Sequence, residues 1–133
     1  MVEEEKKVRV LLTKSRIDGH DRGVRYLARK LTDAGMEIIF TRYKNPEDIV
    51  NTAMQEDADV IGISFSVGGH TVVTAEVMDF MKKRGMQDTL VIVGGIIPED
   101  DVPQLLELGV GKTFGPGSYA DDVIHYIRDN VKG

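Results

Sequence analysis

The sequence predicts an α/β domain: a doubly wound, five-stranded parallel sheet with helices on both faces. Three observations carry this. Five short apolar runs alternate with five amphipathic stretches along the 133 residues. The runs are continuously apolar, as strands buried on both faces are, and the stretches between them read as helical crossovers. Crossovers in such sheets are right-handed, which leaves few topologies.

Each element has its own signature. Glu3 to Lys7 is charged and reads as a frayed lead-in. Val8 to Thr13 is the first strand. From Arg22 to Ala34, Val24, Leu27, Ala28, Leu31 and Ala34 recur at helical spacing, and Gly35 stands where a C-terminal cap belongs. Met36 to Phe40 is the second strand. Asn45-Pro46-Glu47-Asp48 opens a helix with a capping residue, a proline and first-turn acids, and Ile49, Val50, Ala53 and Met54 form its buried stripe. Asp59 to Ser64 is the third strand, centred on Val60, Ile61 and Ile63. A loop through His70 follows, then a helix marked by Val73, Val77, Phe80 and Met81 that closes near Gly85. Leu90 to Val93 is the fourth strand and ends in Gly94-Gly95. A helix from about Glu99 carries Val102, Leu105, Leu106 and Leu108 and stops at Gly109. Lys112 to Phe114 is a short fifth strand, and Val123, Ile124, Ile127 and Val131 mark the last helix. The pattern uses residues 1–133 as a single domain. We choose the flavodoxin-like (Rossmann-like) strand order 2-1-3-4-5. Ligands then bind beyond the carboxyl ends of the strands, at the switch point between strands one and three.

Composition narrows the function. A net charge of −5 gives no support for a nucleic-acid partner. There is no cysteine, so disulfides, thiolate metal sites and thiol nucleophiles are excluded. No apolar run approaches the roughly 20 residues of a membrane span. The charged start is unlike a secretory signal, and a cytoplasmic location is the expectation.

The unusual residues collect at the strand ends: Asp18-Gly19-His20-Asp21-Arg22-Gly23, Ser64 to Gly69, Gly94-Gly95 and Gly115 to Ser118. His20 sits on a glycine-bracketed turn, and Asp18 is placed to accept the proton of one ring nitrogen, as carboxylates do for metal-bound histidines. His70 and His125 are far away in sequence, so a cage of protein ligands alone is poorly supported. If His20 binds a metal, a cofactor brings most of the other ligands. The glycines open the edge to a large ligand, and Ser64, Ser66 and Ser118 add hydroxyls. No dinucleotide fingerprint, phosphate-binding loop or nucleophile elbow occurs. A phospho-receiver would need an acidic cluster after strand one and an aspartate after strand three, where this chain has serine. The acids Glu99, Asp100 and Asp101 read as helix N-terminal charges.

These loops resemble the cobalamin-binding domain of B12-dependent mutases. The resemblance rests on D-x-H-x-x-G (Asp18, His20, Gly23), a serine loop after strand three and Gly-Gly after strand four. Lys14, Gly69-His70, Val93 to Pro98 and Phe114 to Ser118 narrow it to the acyl-CoA mutase branch, of methylmalonyl-CoA mutase type. It spans about Val8 to Val131. It implies that adenosylcobalamin binds with its nucleotide tail displaced from cobalt and His20 in its place as lower axial ligand. Asp18 would hold the other ring nitrogen, and Lys14 would pair with Asp18. Gly19, Asp21, Arg22 and Gly23 complete that loop. The tail would enter a cleft lined by Ser64, Ser66, Gly68, Gly94, Gly95, Phe114, Gly115, Gly117 and Ser118. The family's substrate-binding TIM barrel is not in this chain. The resemblance therefore implies a small subunit of a two-chain mutase, inactive alone, in a hetero-oligomer with a large barrel subunit that binds an acyl-CoA. The alternatives are a non-catalytic corrinoid carrier or B12 sensor, a domain that mediates only subunit contact, and a flavodoxin. Two departures stand out. Ser66 replaces a leucine usual in the family, an apolar contact worth about 1–2 kcal/mol if buried, for which bulky Phe65 is expected to compensate. Arg16 and Ile17 stand near a usual glycine, and Arg16 is a candidate contact for a corrin amide or a partner.

Overall fold

The computed structural model describes residues 7–66, 68–115, 118 and 120–131. Strands β1 (Arg9–Ser15), β2 (Glu37–Tyr43), β3 (Val60–Phe65), β4 (Leu90–Gly95) and β5 (Lys112–Phe114) form one parallel sheet. Its order is β2-β1-β3-β4-β5, the flavodoxin-like order expected. Helices α1 (Arg22–Asp33), α2 (Pro46–Gln55), α3 (His70–Lys83), α4 (Val102–Glu107) and α5 (Ala120–Asn130) connect and cover it. The lead-in before Lys7, and Gly117 of the expected cleft, lie outside the described residues.

Strand side chains alternate between faces, so the continuous apolar runs feed two cores. Leu11, Ile61, Ile63, Val91 and Val93 meet Ile49, Val50 and Ala53 of α2, Val77 and Met81 of α3 and Leu105 of α4. Val10, Leu12, Val60 and Ile92 meet Val24 and Leu31 of α1 and Val123, Ile124 and Ile127 of α5. Each fully buried Leu, Ile or Val contributes about 1.5–3 kcal/mol, so these two layers dominate stability.

Strands β1, β3 and β4 each run one or two residues further toward the carboxyl edge than the pattern, to Ser15, Phe65 and Gly95, and two boundaries differ more. β2 runs to Tyr43 rather than Phe40, because Thr41, Arg42 and Tyr43 continue the ladder opposite Thr13, Lys14 and Ser15. The fourth helix begins as a 3₁₀ turn, Glu99–Asp101, and becomes α-helical only at Val102.

The start of α2 is a complete capping box. Asn45 Oδ1 accepts from the Asp48 amide at 3.1 Å, and Asp48 Oδ2 accepts from the Asn45 amide at 3.1 Å. Asn45→Ala is expected to lower stability by about 1 kcal/mol, read as a lower urea midpoint at unchanged slope. Among the described residues, no helix is long and apolar enough to cross a membrane.

Candidate functional site

The sheet register builds a hollow. Side chains paired across parallel strands share a face, and two rows point toward α1 and α5. One row is Phe40, Leu12, Gly62, Ile92 and Lys112; the next toward the carboxyl edge is Arg42, Lys14, Ser64, Gly94 and Phe114. A glycine interrupts each row, Gly62 at the middle of the first and Gly94 beside Ser64 in the second. Val24 and Leu27 of α1 and Ala120 and Val123 of α5 roof the gap, leaving a cavity of about 650 Å³. That size suits a cofactor-sized group. A Cβ at Gly62 would stand 2.8 Å from Leu12 Cδ2, and one at Gly94 would stand 3.3 Å from the Phe114 carbonyl oxygen. Side chains at these positions would fill the cradle.

The turn after β1 stands at the mouth. Lys14, at the end of β1, is fully buried, an expensive place for an ammonium unless it is paired. Its Nζ donates to the His20 carbonyl and faces Asp18 Oδ1 and Asp21 Oδ1, each at 3.4 Å. Asp18, also buried, accepts from the His20 amide at 2.9 Å and from His20 Nδ1 at 2.8 Å. Burial alone would raise the Asp18 pKa. The His20 amide and ring and the Lys14 charge outweigh it, and lower the pKa from 3.8 to about 2. Asp18 is therefore ionised near neutrality, and an ionised carboxylate only accepts, so Nδ1 carries the imidazole proton. In the neutral ring Nε2 then holds the lone pair, on a side chain that is 72% exposed. Asp21 is also lowered. Burial opposes the shift, and hydrogen bonds from Arg42 and Lys14 drive it. Tyr43 is raised by burial and by the Asp18 charge.

Most of the residues singled out from the sequence meet at this cleft. Gly19, His20, Asp21, Arg22 and Gly23 line one side; Ser64, Ser66, Gly94, Gly95, Phe114, Gly115 and Ser118 line the rest. Lys14 and Asp18 lie behind the turn and support it. Gly68 is exposed and is not part of the lining. Phe65 corrects an expectation. It is buried in the opposite core, beside Ile63 and Val77, because its neighbours Ser64 and Ser66 take the alternate face. It cannot replace apolar surface lost at Ser66. Arg16 is exposed.

Three features were missed. Gly62 lines the cleft, and a glycine inside an apolar strand was the available sign of close approach. Arg42 donates to the Asp18 carbonyl at 3.0 Å and to Asp21, contacts hidden by ending the second strand too early. His70 Nε2 donates to Asp101 Oδ2 at 2.7 Å, tying the start of α3 to the turn before α4. Asp101 is thus more than a helix N-terminal charge.

The donor set suits a metal that arrives already ligated. Among the described residues, no three His, Cys, Asp or Glu side chains lie together as an ion cage, while one imidazole is held in a single tautomer beside a large cradle.

Comparison with known proteins shows the family. Residues 8–124 match the family model described as the B12 binding domain. The 2-hydroxyisobutanoyl-CoA mutase small subunit of Aquincola tertiaricarbonis is 41% identical over 93% of this chain and 92% of that protein. The pivalyl-CoA mutase small subunit of Xanthobacter autotrophicus is 40% identical over 90% of this chain and 81% of that protein. The methylmalonyl-CoA mutase of Rhizobium meliloti is 34% identical over 96% of this chain, which spans only 18% of that protein. A crystal structure of a cobalamin-binding protein from Desulfitobacterium hafniense superposes with a TM-score of 0.76 at 22% identity. It covers 96% of this chain and 60% of that one, and shows a shared fold. The chain belongs to the B12-binding domain family and is related along most of its length to acyl-CoA mutase small subunits.

Proposed function

We propose that this chain is the cobalamin-binding small subunit of a two-chain, adenosylcobalamin-dependent acyl-CoA mutase, with His20 as the lower axial ligand of cobalt. One observation carries the reading: an imidazole whose Nδ1 proton is committed to a buried, ionised Asp18 stands at the mouth of a glycine-hollowed cleft. The names of the two small-subunit relatives support the two-chain arrangement.

In this reading each residue has a task. His20 offers Nε2. Asp18 fixes the tautomer of the ring, and the His20 hydrogen bonds together with Lys14 keep Asp18 ionised. The cleft takes the cofactor's displaced nucleotide tail, with Gly62 and Gly94 leaving the space and Ser64 and Ser66 on its wall. When bound, adenosylcobalamin supplies homolytic cobalt–carbon bond chemistry. The acyl-CoA sits on a separate large subunit with a TIM barrel, and this chain presents the corrin to it.

A visible-absorption titration with adenosylcobalamin tests the assignment. The intact chain is expected to give the spectrum of cobalamin with its own base displaced and a histidine in place. His20→Ala is expected to lose the histidine signature. If the intact chain leaves the spectrum unchanged, the cobalamin reading fails for this chain. If His20→Ala retains the signature, the ligand is another residue.

A further inference from the structure

Arg42 stands directly opposite Lys14 in the sheet register. Two cations on neighbouring strands repel unless negative charge lies between them, and the turn after β1 supplies it. Lys14 grips that turn from the buried side, through the His20 carbonyl and the two carboxylates. Arg42 grips it from the solvent side. Its Nη1 donates to the Asp18 carbonyl at 3.0 Å, and its Nη2 donates to Asp21 Oδ2. One planar guanidinium therefore ties together the first and last residues of the Asp18–Asp21 segment that carries His20. The guanidinium is itself held in place. It lies 5.7 Å from the centre of the Phe40 ring, and the same ring carries Arg25 at 5.6 Å. Arg25 also reaches Asp21 Oδ2, at 3.4 Å. A planar fork supported in this way holds its two acceptors in a fixed relative geometry, which the freely rotating ammonium of a lysine does not impose.

We propose that Arg42 is a positioning residue for His20: it holds the Asp18–Asp21 turn closed before any ligand arrives, so the imidazole is presented in one orientation. The proposal rests on the reading of His20 as cobalt ligand. Lys14 and Asp18 fix the tautomer of the ring, whereas Arg42 fixes the backbone from which the ring projects. Without Arg42 the turn samples open forms, and apparent affinity falls by the fraction of molecules that remain closed.

The test uses the full chain with Arg42→Met, which removes both hydrogen bonds but keeps apolar bulk near Phe40, and Arg42→Lys, which restores charge without the fork. Amide hydrogen exchange is followed without ligand. In Arg42→Met the His20 amide, which donates to Asp18, is expected to exchange about tenfold faster or more, while the core strands keep their protection and the urea midpoint holds. Adenosylcobalamin affinity is expected to fall about tenfold, the bound spectrum remaining histidine-ligated. Arg42→Lys should recover part of both effects. Unchanged exchange at residues 18–21 in Arg42→Met overturns the proposal. So does a uniform loss of protection that tracks a lower midpoint, since Arg42 would then serve the whole fold. The exchange measurement needs no cofactor. If the intact chain binds no cobalamin, the ligand reading of His20 fails separately from the tie between Arg42 and the turn.

Discussion

Gly95→Ala is expected to destabilise the protein by about 3 kcal/mol or more, among the largest effects of any single methyl group added to this chain. Two independent penalties meet there. Gly95 has a φ of 107°, a backbone conformation that side chains disfavour. A Cβ there would also overlap the Phe65 carbonyl oxygen and stand 2.9 Å and 3.0 Å from the carbonyl carbon and amide nitrogen of the same residue. Those atoms belong to the adjacent strand and have no flexible end to swing aside. The same carbonyl accepts from the Ile96 amide at 2.8 Å, so relief of the overlap breaks the last link between β3 and the turn after β4. Urea denaturation measures the loss. Gly19→Ala is the control: nothing lies within 4 Å of its Cβ position and its φ is not positive, so its stability should change by less than about 0.5 kcal/mol. Equal effects at the two positions would show that the close approach at Phe65 is not what requires glycine.

Asp18→Ala is expected to cost about 3 kcal/mol, because it strips one counter-charge from a fully buried ammonium and leaves the His20 amide without its acceptor. Asp21 remains near Lys14, which keeps the loss at the lower end for a broken buried pair. The same carboxylate sets an acid limb. Its folded pKa, about 2, lies below its ordinary 3.8, so it stabilises the fold above about pH 4. That contribution drains away as the pH falls toward 2, and amounts to about 2 kcal/mol. Urea midpoints measured between pH 5 and 2 should therefore fall steeply in the parent. They should fall less steeply in Asp18→Asn, which keeps an acceptor oxygen but has no proton to take up. Parallel acid limbs in the two proteins would place the titrating group elsewhere.

The fold was legible because each level of the sequence said the same thing. Continuous apolar strands, capped amphipathic helices and glycines after helices all point to one doubly wound sheet, and the strand order followed. The turn from Asp18 to Gly23 and the glycine pairs were legible as an edge for the same reason: they interrupt apolar runs. What stayed hidden depends on register. Arg42 lay beyond the expected end of the second strand at Phe40, and only the continued ladder opposite Lys14 brings it to the turn. Gly62 was overlooked inside an apolar run, although it empties the floor of the cleft. Phe65 was assigned to the wrong face, since a loop reading carries no alternation, whereas β3 in fact extends through it. The His70–Asp101 pair joins residues 31 positions apart, which no local spacing announces.

The hollow above Gly62 and Gly94 has a consequence for how long the protein survives. A domain that leaves such a space between its sheet and two helices forgoes packing that a ligand can restore. Whatever fills the space binds the folded chain and not the unfolded one, so folding and loading are linked by mass action. At a hundred times its dissociation constant, such a ligand adds about 2.7 kcal/mol to stability. Local opening and cleavage by proteases slow in proportion. The supply of ligand then sets not only how much of this protein is loaded but how much of it persists.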